Sequence, residues 1–153
     1  MEIIIKNLKD LDIFAELFAK ELKSGDVVNL IGDLGAGKTT FVQSIGKFFN
    51  ISDLISSPTF SIVNIYEGDF RVNHLDLYRL NDPSEIEALD FETYFYPEGI
   101  TFIEWGEKAK DYLPEDMIEL KIEDFGEGRR IEFLTDNGKS KEMGEIIYEN
   151  FSA

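Results

Sequence analysis

A glycine-rich loop between an apolar segment and a helix-like segment constrains the fold of this chain most strongly. Residues 32–40 read GDLGAGKTT; the apolar run Val27–Ile31 precedes them and the helix-like segment that starts at Phe41 follows. The first eight of these residues match the pattern G-x-x-x-x-G-K-[ST] in full. In such a loop the glycines let backbone N–H groups turn toward phosphate oxygens, and the following helix presents its positive N-terminus to the anion. Because a strand before the loop and a helix after it are the context that this chemistry requires, we predict a phosphate-binding P-loop rather than an ordinary glycine loop.

Two side chains of the loop have predicted tasks. Lys38 can reach the β- and γ-phosphates of a nucleotide, and the Thr39 hydroxyl can ligate magnesium. A guanine-specific protein is expected to carry an N-K-x-D segment, and the sequence contains none. This favours ATP over GTP.

An acidic residue at the end of a buried strand is also expected, because it helps to hold Mg²⁺. Glu104 ends the apolar segment that starts at Thr101, and Asp76 follows the segment Val72–Leu75. In a parallel sheet both carboxylates would lie at the C-terminal strand ends, beside the loop. For either residue, the alternative is a solvated carboxylate at a strand end.

The amino-acid composition limits which partners and metals the chain is expected to bind. The chain has 153 residues, about the size of one domain, with 31 acidic and 15 basic residues and a net charge of −16. Nucleic-acid binding draws on Lys and Arg side chains that neutralise phosphates, so direct binding of RNA or DNA is disfavoured. Solubility explains the acidity equally well. The chain has no cysteine and one histidine, which disfavours zinc and leaves oxygen-liganded magnesium open.

Membrane association and secretion are not expected. No apolar run approaches the ~20 residues that span a bilayer. The first ten residues, MEIIIKNLKD, lack the basic start, apolar core and cleavage site of a signal peptide. The absence of cysteine is consistent with the cytoplasm.

Hydrophobic periodicity predicts alternating strands and helices. We expect strands at 2–5, 26–31, 99–103, 118–122 and 131–133, and a hairpin of 60–66 with 70–77. We expect helices at 11–22, with Asp10 as N-cap and Gly25 as stop, at 41–49, from Asp82, and through Met143–Ile147. The pattern predicts a single P-loop ATPase domain over residues 1–153. Its fold class is α/β, P-loop NTPase-like, with a mixed, mostly parallel central sheet, an antiparallel hairpin and flanking helices.

Four motifs together carry a family resemblance: GDLGAGKTT, Ser57–Phe60 (SPTF), His74–Leu80 (HLDLYRL) and Ile103–Trp105 (IEW). The combination resembles the bacterial TsaE family, also called YjeE. It runs over nearly the whole chain. The loop alone is generic, whereas HLDLYR at this distance after it, followed by EW, is highly specific.

The resemblance implies a function. TsaE proteins are small P-loop ATPases of the bacterial cytoplasm that act with TsaB and TsaD in forming threonylcarbamoyladenosine at position 37 of tRNAs that read ANN codons. TsaD performs the transfer with TsaB as its partner, while TsaE binds their complex and hydrolyses ATP, weakly when alone, to sustain turnover. A TsaE protein would then contact tRNA only indirectly, through the complex, which agrees with the acidic net charge of this chain.

The resemblance also implies roles for residues. Lys38 and the loop backbone would hold ATP, Thr39 and Glu104 would serve Mg²⁺ with Thr39 as a direct ligand, and Asp76 would orient water or act as a base. The loop residues concerned are Asp33, Leu34, Gly35, Ala36, Gly37, Lys38, Thr39 and Thr40.

Further residues have expected roles, most of them with an alternative. Thr59 lies where a switch-like loop would sense the γ-phosphate. Arg129 matches a family position near the nucleotide, where it would stack on adenine or contact phosphate, but it is equally a solvated hairpin arginine. Tyr78, Arg79 and Trp105 would line the site rim or the partner contact, or would simply pack. His74 is expected to be structural rather than catalytic. Two positions depart from the family pattern: Asp90 stands where the family often has glycine, and Gly106 stands where proline is common.

Two other functions stay open. The first is a small-molecule kinase, but kinases usually bring several arginines in a mobile lid, and this chain has only Arg71, Arg79, Arg129 and Arg130. The second is a nucleotide-gated binding module whose hydrolysis is incidental.

Overall fold

The computed structural model describes residues 2–33, 37–52, 55, 63–78, 80, 82, 84–85, 87, 90–95, 97–134 and 138–152. The strands within these ranges are β1 Glu2–Ile5, β2 Val27–Ile31, β3 Val63–Tyr66, β4 Val72–Asp76, β5 Ile100–Glu104, β6 Ile118–Phe125 and β7 Gly128–Leu134. The helices are α1 Leu8–Glu21, α2 Lys38–Phe48, α3 Phe91–Phe95 and α4 Gly138–Ser152, with a 3-10 helix at Gly106–Tyr112.

The described strands form one mixed sheet in the order β1-β7-β6-β2-β5-β4-β3. The four adjacent strands β6, β2, β5 and β4 run parallel, while β1, β7 and β3 pair antiparallel with their neighbours. The predicted fold class is therefore confirmed, including the hairpin of β3 and β4; residues 60–62 of the predicted hairpin lie outside the described ranges. Because parallel strands end at the same edge, the ends of β2, β4 and β5 meet there.

Each face of the sheet has its own apolar core. On one face α1, α2 and α4 pack on the sheet around a group of phenylalanines whose ring centroids lie 5.3–6.3 Å apart in the pairs Phe14–Phe41, Phe18–Phe41, Phe14–Phe133 and Phe41–Phe102. On the other face Leu75, Leu77, Ile103 and Phe95 form a smaller cluster. The period-2 alternation of strand side chains assigns successive residues to opposite cores, so the neighbours Phe102 and Ile103 point to different faces.

The ends of α1 differ from the prediction. Its N-cap is Asn7, whose side chain accepts a hydrogen bond from the Asp10 N–H at 2.9 Å. Asp10 lies inside the first turn and accepts from the Lys6 N–H at 3.0 Å, so the prediction that Asp10 caps the helix is wrong. Leu22 is the C-cap, and Gly25 (φ 99°) instead turns the chain toward β2. Both Asn and Asp are good caps, and only the backbone geometry decides between them.

Two glycine-related positions have structural explanations. Gly144 lies inside α4, where a Cβ would come within 2.9 Å of the Phe133 ring. Because glycine has no Cβ, the helix can pack closely on β7. Asp90 has φ 54°, the left-handed region that glycine favours, and its carboxylate accepts a hydrogen bond from the Thr93 hydroxyl at 2.7 Å. Asp90 thus keeps the backbone geometry that a glycine would have, because a short polar side chain tolerates this region.

The predicted helix start at Asp82 is a short turn. The Asp82 carboxylate accepts the Ser84 N–H at 3.0 Å, and this hydrogen bond lowers the pKa of the Asp82 carboxyl. Ser84, Glu85 and Glu87 adopt 3-10 geometry.

Candidate functional site

The loop predicted to bind phosphate leads into the start of α2. Gly37 precedes the helix in the left-handed conformation (φ 99°) and makes no side-chain capping hydrogen bond. The first N–H groups of a helix have no intrahelical partner, so this terminus can offer them to an anion. A residue with a side chain would be strained at Gly37. Of the predicted loop residues, Gly32, Asp33, Gly37, Lys38, Thr39 and Thr40 are described, whereas Leu34, Gly35 and Ala36 lie outside the described residues.

The Lys38 side chain folds back over the end of β2. Its Nζ donates a hydrogen bond to the Gly32 carbonyl at 2.7 Å and lies 3.8 Å from Glu104 Oε1. The same ammonium lies 4.7 Å from the centroid of the Trp105 ring. Lys38 is only 5% exposed, so a cation is held out of water by a carbonyl, a carboxylate and an aromatic face.

Glu104 ends β5 and is the acidic centre of the site. It is 4% exposed, and β5 lies between β2 and β4 in the sheet, with Glu104 in register with Leu30 on one side and Asp76 on the other. Its Oε2 lies 2.5 Å from Nε2 of His74, a fully buried residue of β4. A carboxylate that carries its charge only accepts hydrogen bonds, so in that state of Glu104 the His74 Nε2–H would be the donor.

The second acidic residue is next to it. Asp76 ends β4 as the register partner of Glu104, and its Oδ1 accepts the Tyr78 N–H at 3.0 Å. The two carboxylates predicted from strand ends are thus brought to neighbouring strands. Thr39, in the first turn of α2, is half-buried.

An aromatic rim extends from Lys38 to the surface. Trp105 follows Glu104 with φ 59°, and its ring centroid lies 5.0 Å from that of Tyr78, which is 50% exposed. Lys108 donates to the Tyr78 carbonyl at 2.5 Å and lies 5.0 Å from the Tyr78 ring centroid. A left-handed tryptophan is uncommon, and such strain is found at functional sites.

Arg129 lies on the opposite side of the α2 terminus. A Cβ on Gly37 would lie 3.3 Å from Arg129 Nε, so the guanidinium covers the start of the helix. Its Nη1 donates to the Gly128 carbonyl at 2.9 Å and lies 3.2 Å from Asp124 Oδ1.

Beside Arg129 is a cavity of about 240 Å³. Gly37, Thr40 and Arg129 are among the residues that line it. Its apolar lining comes from Ile5, Leu8, Leu11, Phe41, Ile122 and Ile131. The cavity therefore lies beside the start of α2 and is lined largely by apolar side chains.

The sequence predicts a structural role for His74, and that stays a prediction; the structure places the residue, buried and hydrogen-bonded to Glu104, on the same face of β4 as Asp76. Sequence reasoning missed the cavity wall from β1 and α1. The available signal was Leu8, an apolar residue outside the predicted helical stripe. Thr59 and Arg79 lie outside the described residues, so their predicted roles stay predictions.

The fold and the loop together define a P-loop NTPase-like α/β protein. The crystal structure of Bacillus subtilis YdiB superposes with a TM-score of 0.81 at 27% identity, covering 98% of this chain and 95% of that one. Residues 5–131 match the sequence model of the family described as "Threonylcarbamoyl adenosine biosynthesis protein TsaE". The chain belongs to the TsaE family.

Two proteins of the same family are similar to this chain over most of their lengths. A Bacillus subtilis (strain 168) protein named tRNA threonylcarbamoyladenosine biosynthesis protein TsaE is 36% identical over 138 residues, covering 90% of this chain and 86% of that protein. A protein of the same name from Rickettsia felis is 38% identical over 147 residues, covering 95% of this chain and 85% of that protein. None of the described helices is long and apolar enough to cross a membrane.

Proposed function

We propose that this chain is a Mg²⁺-dependent P-loop ATPase that acts with TsaB and TsaD in forming threonylcarbamoyladenosine at position 37 of tRNAs that read ANN codons. Its hydrolysis of ATP, weak when alone, sustains turnover of the complex in the cytoplasm. The observation that carries the proposal is the placement of Lys38 and Glu104, with Nζ and Oε1 3.8 Å apart, beside the uncapped start of α2.

The chemistry of this end of the sheet fits a triphosphate. The N-terminus of α2 and the Lys38 ammonium supply positive charge, and Lys38 can exchange its contact with the Gly32 carbonyl for phosphate oxygens. The loop backbone from Asp33 to Thr40 completes the cradle in the proposed complex.

The donors near Lys38 also fit magnesium. Thr39, Glu104 and Asp76 all offer oxygen, which Mg²⁺ prefers. Among the described residues, no group of three or more His, Cys, Asp or Glu side chains is placed to hold a metal ion. Mg²⁺ usually takes one or two carboxylates and completes its shell with phosphate and water. Thr39 and Glu104 would hold the metal, which would supply charge neutralisation for the phosphates, and Asp76 would orient the attacking water or accept its proton.

The adenine base is assigned to the apolar cavity of about 240 Å³. Gly37 and Thr40, beside the proposed phosphate site, line the cavity, and so does Arg129. A flat base would pack against Leu8 and Leu11, with the guanidinium over the ring or against a phosphate.

The partner surface is assigned to the aromatic rim. Tyr78 is half exposed and contacts Trp105, which contacts Lys38, so a protein docked on the rim would reach the phosphate-binding end through one chain of contacts. With a net charge of −16, the chain is suited to protein partners rather than to tRNA itself.

The test is ATP hydrolysis with and without purified TsaB and TsaD, together with tRNA modification by the three proteins. We expect hydrolysis to rise when the partners are added. Glu104→Ala should retain nucleotide binding and lose both hydrolysis and modification. Glu98→Ala, an exposed carboxylate before the start of β5, is the matched control and should behave as wild type.

Two outcomes would reject the proposal. Full modification by Glu104→Ala would make hydrolysis incidental. ADP release that depends on a small metabolite and needs no partner would indicate a kinase.

A further inference from the structure

His74 is the sole histidine of the chain, and all of its described polar contact is with Glu104. The residue is fully buried on β4, on the same face of the sheet as Asp76. Its Nε2 lies 2.5 Å from Glu104 Oε2.

The second ring nitrogen of His74, Nδ1, shows how much the residue depends on its contact with Glu104. Within the described structure, His74 Nδ1 is buried and has no hydrogen-bond partner. Buried polar atoms are normally hydrogen-bonded, and a histidine kept only for structure would be expected to use both nitrogens. Among its described polar contacts, the hydrogen bond to the Glu104 carboxylate is therefore the one that offsets the burial of this imidazole.

That hydrogen bond separates the roles of the two Glu104 oxygens. Oε2 is held by His74, and Oε1 faces Lys38 at 3.8 Å. A free glutamate side chain has several rotamers and a broad terminal torsion, and it could pair both oxygens with the buried Lys38 ammonium. The pairing of β4 with β5 fixes where the imidazole meets the carboxylate, so His74 selects one orientation.

We infer that His74 is a positioning residue, which holds one oxygen of Glu104 so that the other is directed at Lys38 and at the magnesium site. The inference rests on the proposed function for the role of Glu104. It assigns His74 no direct contact with the nucleotide.

The first experiment uses the nucleotide-free protein. With one histidine in the chain, long-range ¹H–¹⁵N spectra report the His74 tautomer without assignment ambiguity. We expect the Nε2–H tautomer in wild type, and imidazole shifts that move in Glu104→Ala. A dominant Nδ1–H tautomer, or shifts that Glu104→Ala leaves unchanged, would overturn the inference.

The second experiment measures ADP affinity by Trp105 fluorescence, with Mg²⁺ and with EDTA. In His74→Leu we expect the gain in affinity from Mg²⁺ to fall by roughly 10–100-fold, the usual loss when a partner of a metal ligand is removed, with affinity in EDTA unchanged. His74→Gln retains an N–H donor and should restore part of the gain.

A packing role predicts the opposite order. Leucine would then replace a buried imidazole with little effect, and glutamine would be worse. Equal Mg²⁺ dependence in His74→Leu and wild type would therefore overturn the inference, as would a loss of ADP affinity that is the same with Mg²⁺ and with EDTA. Should His74→Leu not fold, His74→Gln and the spectra still decide.

The matched control is Thr101→Val. It removes the buried hydrogen bond between Asn73 Nδ2 and Thr101 Oγ1 (3.2 Å), which joins the same two strands away from Glu104. We expect it to lower stability and leave the Mg²⁺ dependence unchanged. Neither the spectra nor the ADP titration needs turnover, so a wild type that binds Mg-ADP and fails to hydrolyse ATP would reject the proposed function alone.

Discussion

Two charged regions border the start of α2, and they differ in their exposure to water. On one side Lys38, Glu104 and His74 are 5%, 4% and 0% exposed. On the other side the ion pair of Arg129 with Asp124 has side chains 35% and 74% exposed. The first group holds its charges by specific buried contacts, whereas the second shares them with solvent.

This difference decides where the protein is sensitive to substitution. Removing one partner of a buried charged group leaves the other uncompensated, which is costly, while exposed ion pairs contribute little and are screened by salt. Substitutions on the buried side are therefore expected to have large effects, and those on the exposed side small ones.

The largest expected effect is that of Lys38→Ala. We expect Mg-ATP hydrolysis in the presence of the partners to fall by about 10²–10³-fold, the usual cost of removing one preorganised charged donor. Steady-state kinetics would measure the loss. Lys47→Ala is the control, because Lys47 lies on the same helix with its side chain exposed in an ion pair with Asp12. Equal rates for the two variants would contradict the importance given to the buried group.

Phe41→Ala tests the support below that buried group. Phe41 is fully buried against Phe14, Phe18 and Phe102, so its truncation should lower the free energy of unfolding by about 3–5 kcal/mol. Urea denaturation measures the change. A loss below about 1 kcal/mol, the level of an exposed ion pair, would mean that α2 does not depend on this core.

Gly106→Ala should have an intermediate effect. A Cβ at this position would lie 2.5 Å from the side-chain oxygen of Asn29, a buried residue of β2, and relieving that contact must move the Asn29 side chain or the chain next to Trp105. We expect a loss of about 1–3 kcal/mol in unfolding free energy. Gly138→Ala is the matched control, since its Cβ would meet nothing within 4 Å. It should be neutral or slightly stabilising.

The smallest expected effect is that of Arg129→Ala. Loss of an exposed ion pair should cost about 1 kcal/mol or less in stability, and less at high salt. ADP affinity, measured by calorimetry for both variants, should fall less in Arg129→Ala than in Lys38→Ala. Arg130→Ala, which breaks the neighbouring contact with Glu123, should leave ADP affinity unchanged. A loss with Arg129→Ala as large as that with Lys38→Ala would remove the distinction between the two regions.

Local sequence patterns predicted much of this molecule. The spacing of glycines, Lys38 and Thr39 identified the loop, because phosphate binding needs those residue types at adjacent positions. Apolar runs that end in Asp76 and Glu104 placed both carboxylates at strand ends, and Glu67–Asp69 separated the two strands of the hairpin. Where two residues carry the same local signal, the sequence does not choose between them. Asn7 and Asp10 are both good helix caps, and the structure uses Asn7.

The tertiary structure alone decided which of these groups meet. His74 and Glu104 are separated by 30 positions, and they touch because β5 lies between β2 and β4. Arg129 reaches Gly37 because β7 and β6 pair on the other side of β2. Periodicity shows that a segment is a strand and which residues share its face, but strand order and register arise from packing among distant segments. The sequence by itself therefore predicted the phosphate-binding loop and its acidic candidates, and the order of strands made His74 a partner of Glu104.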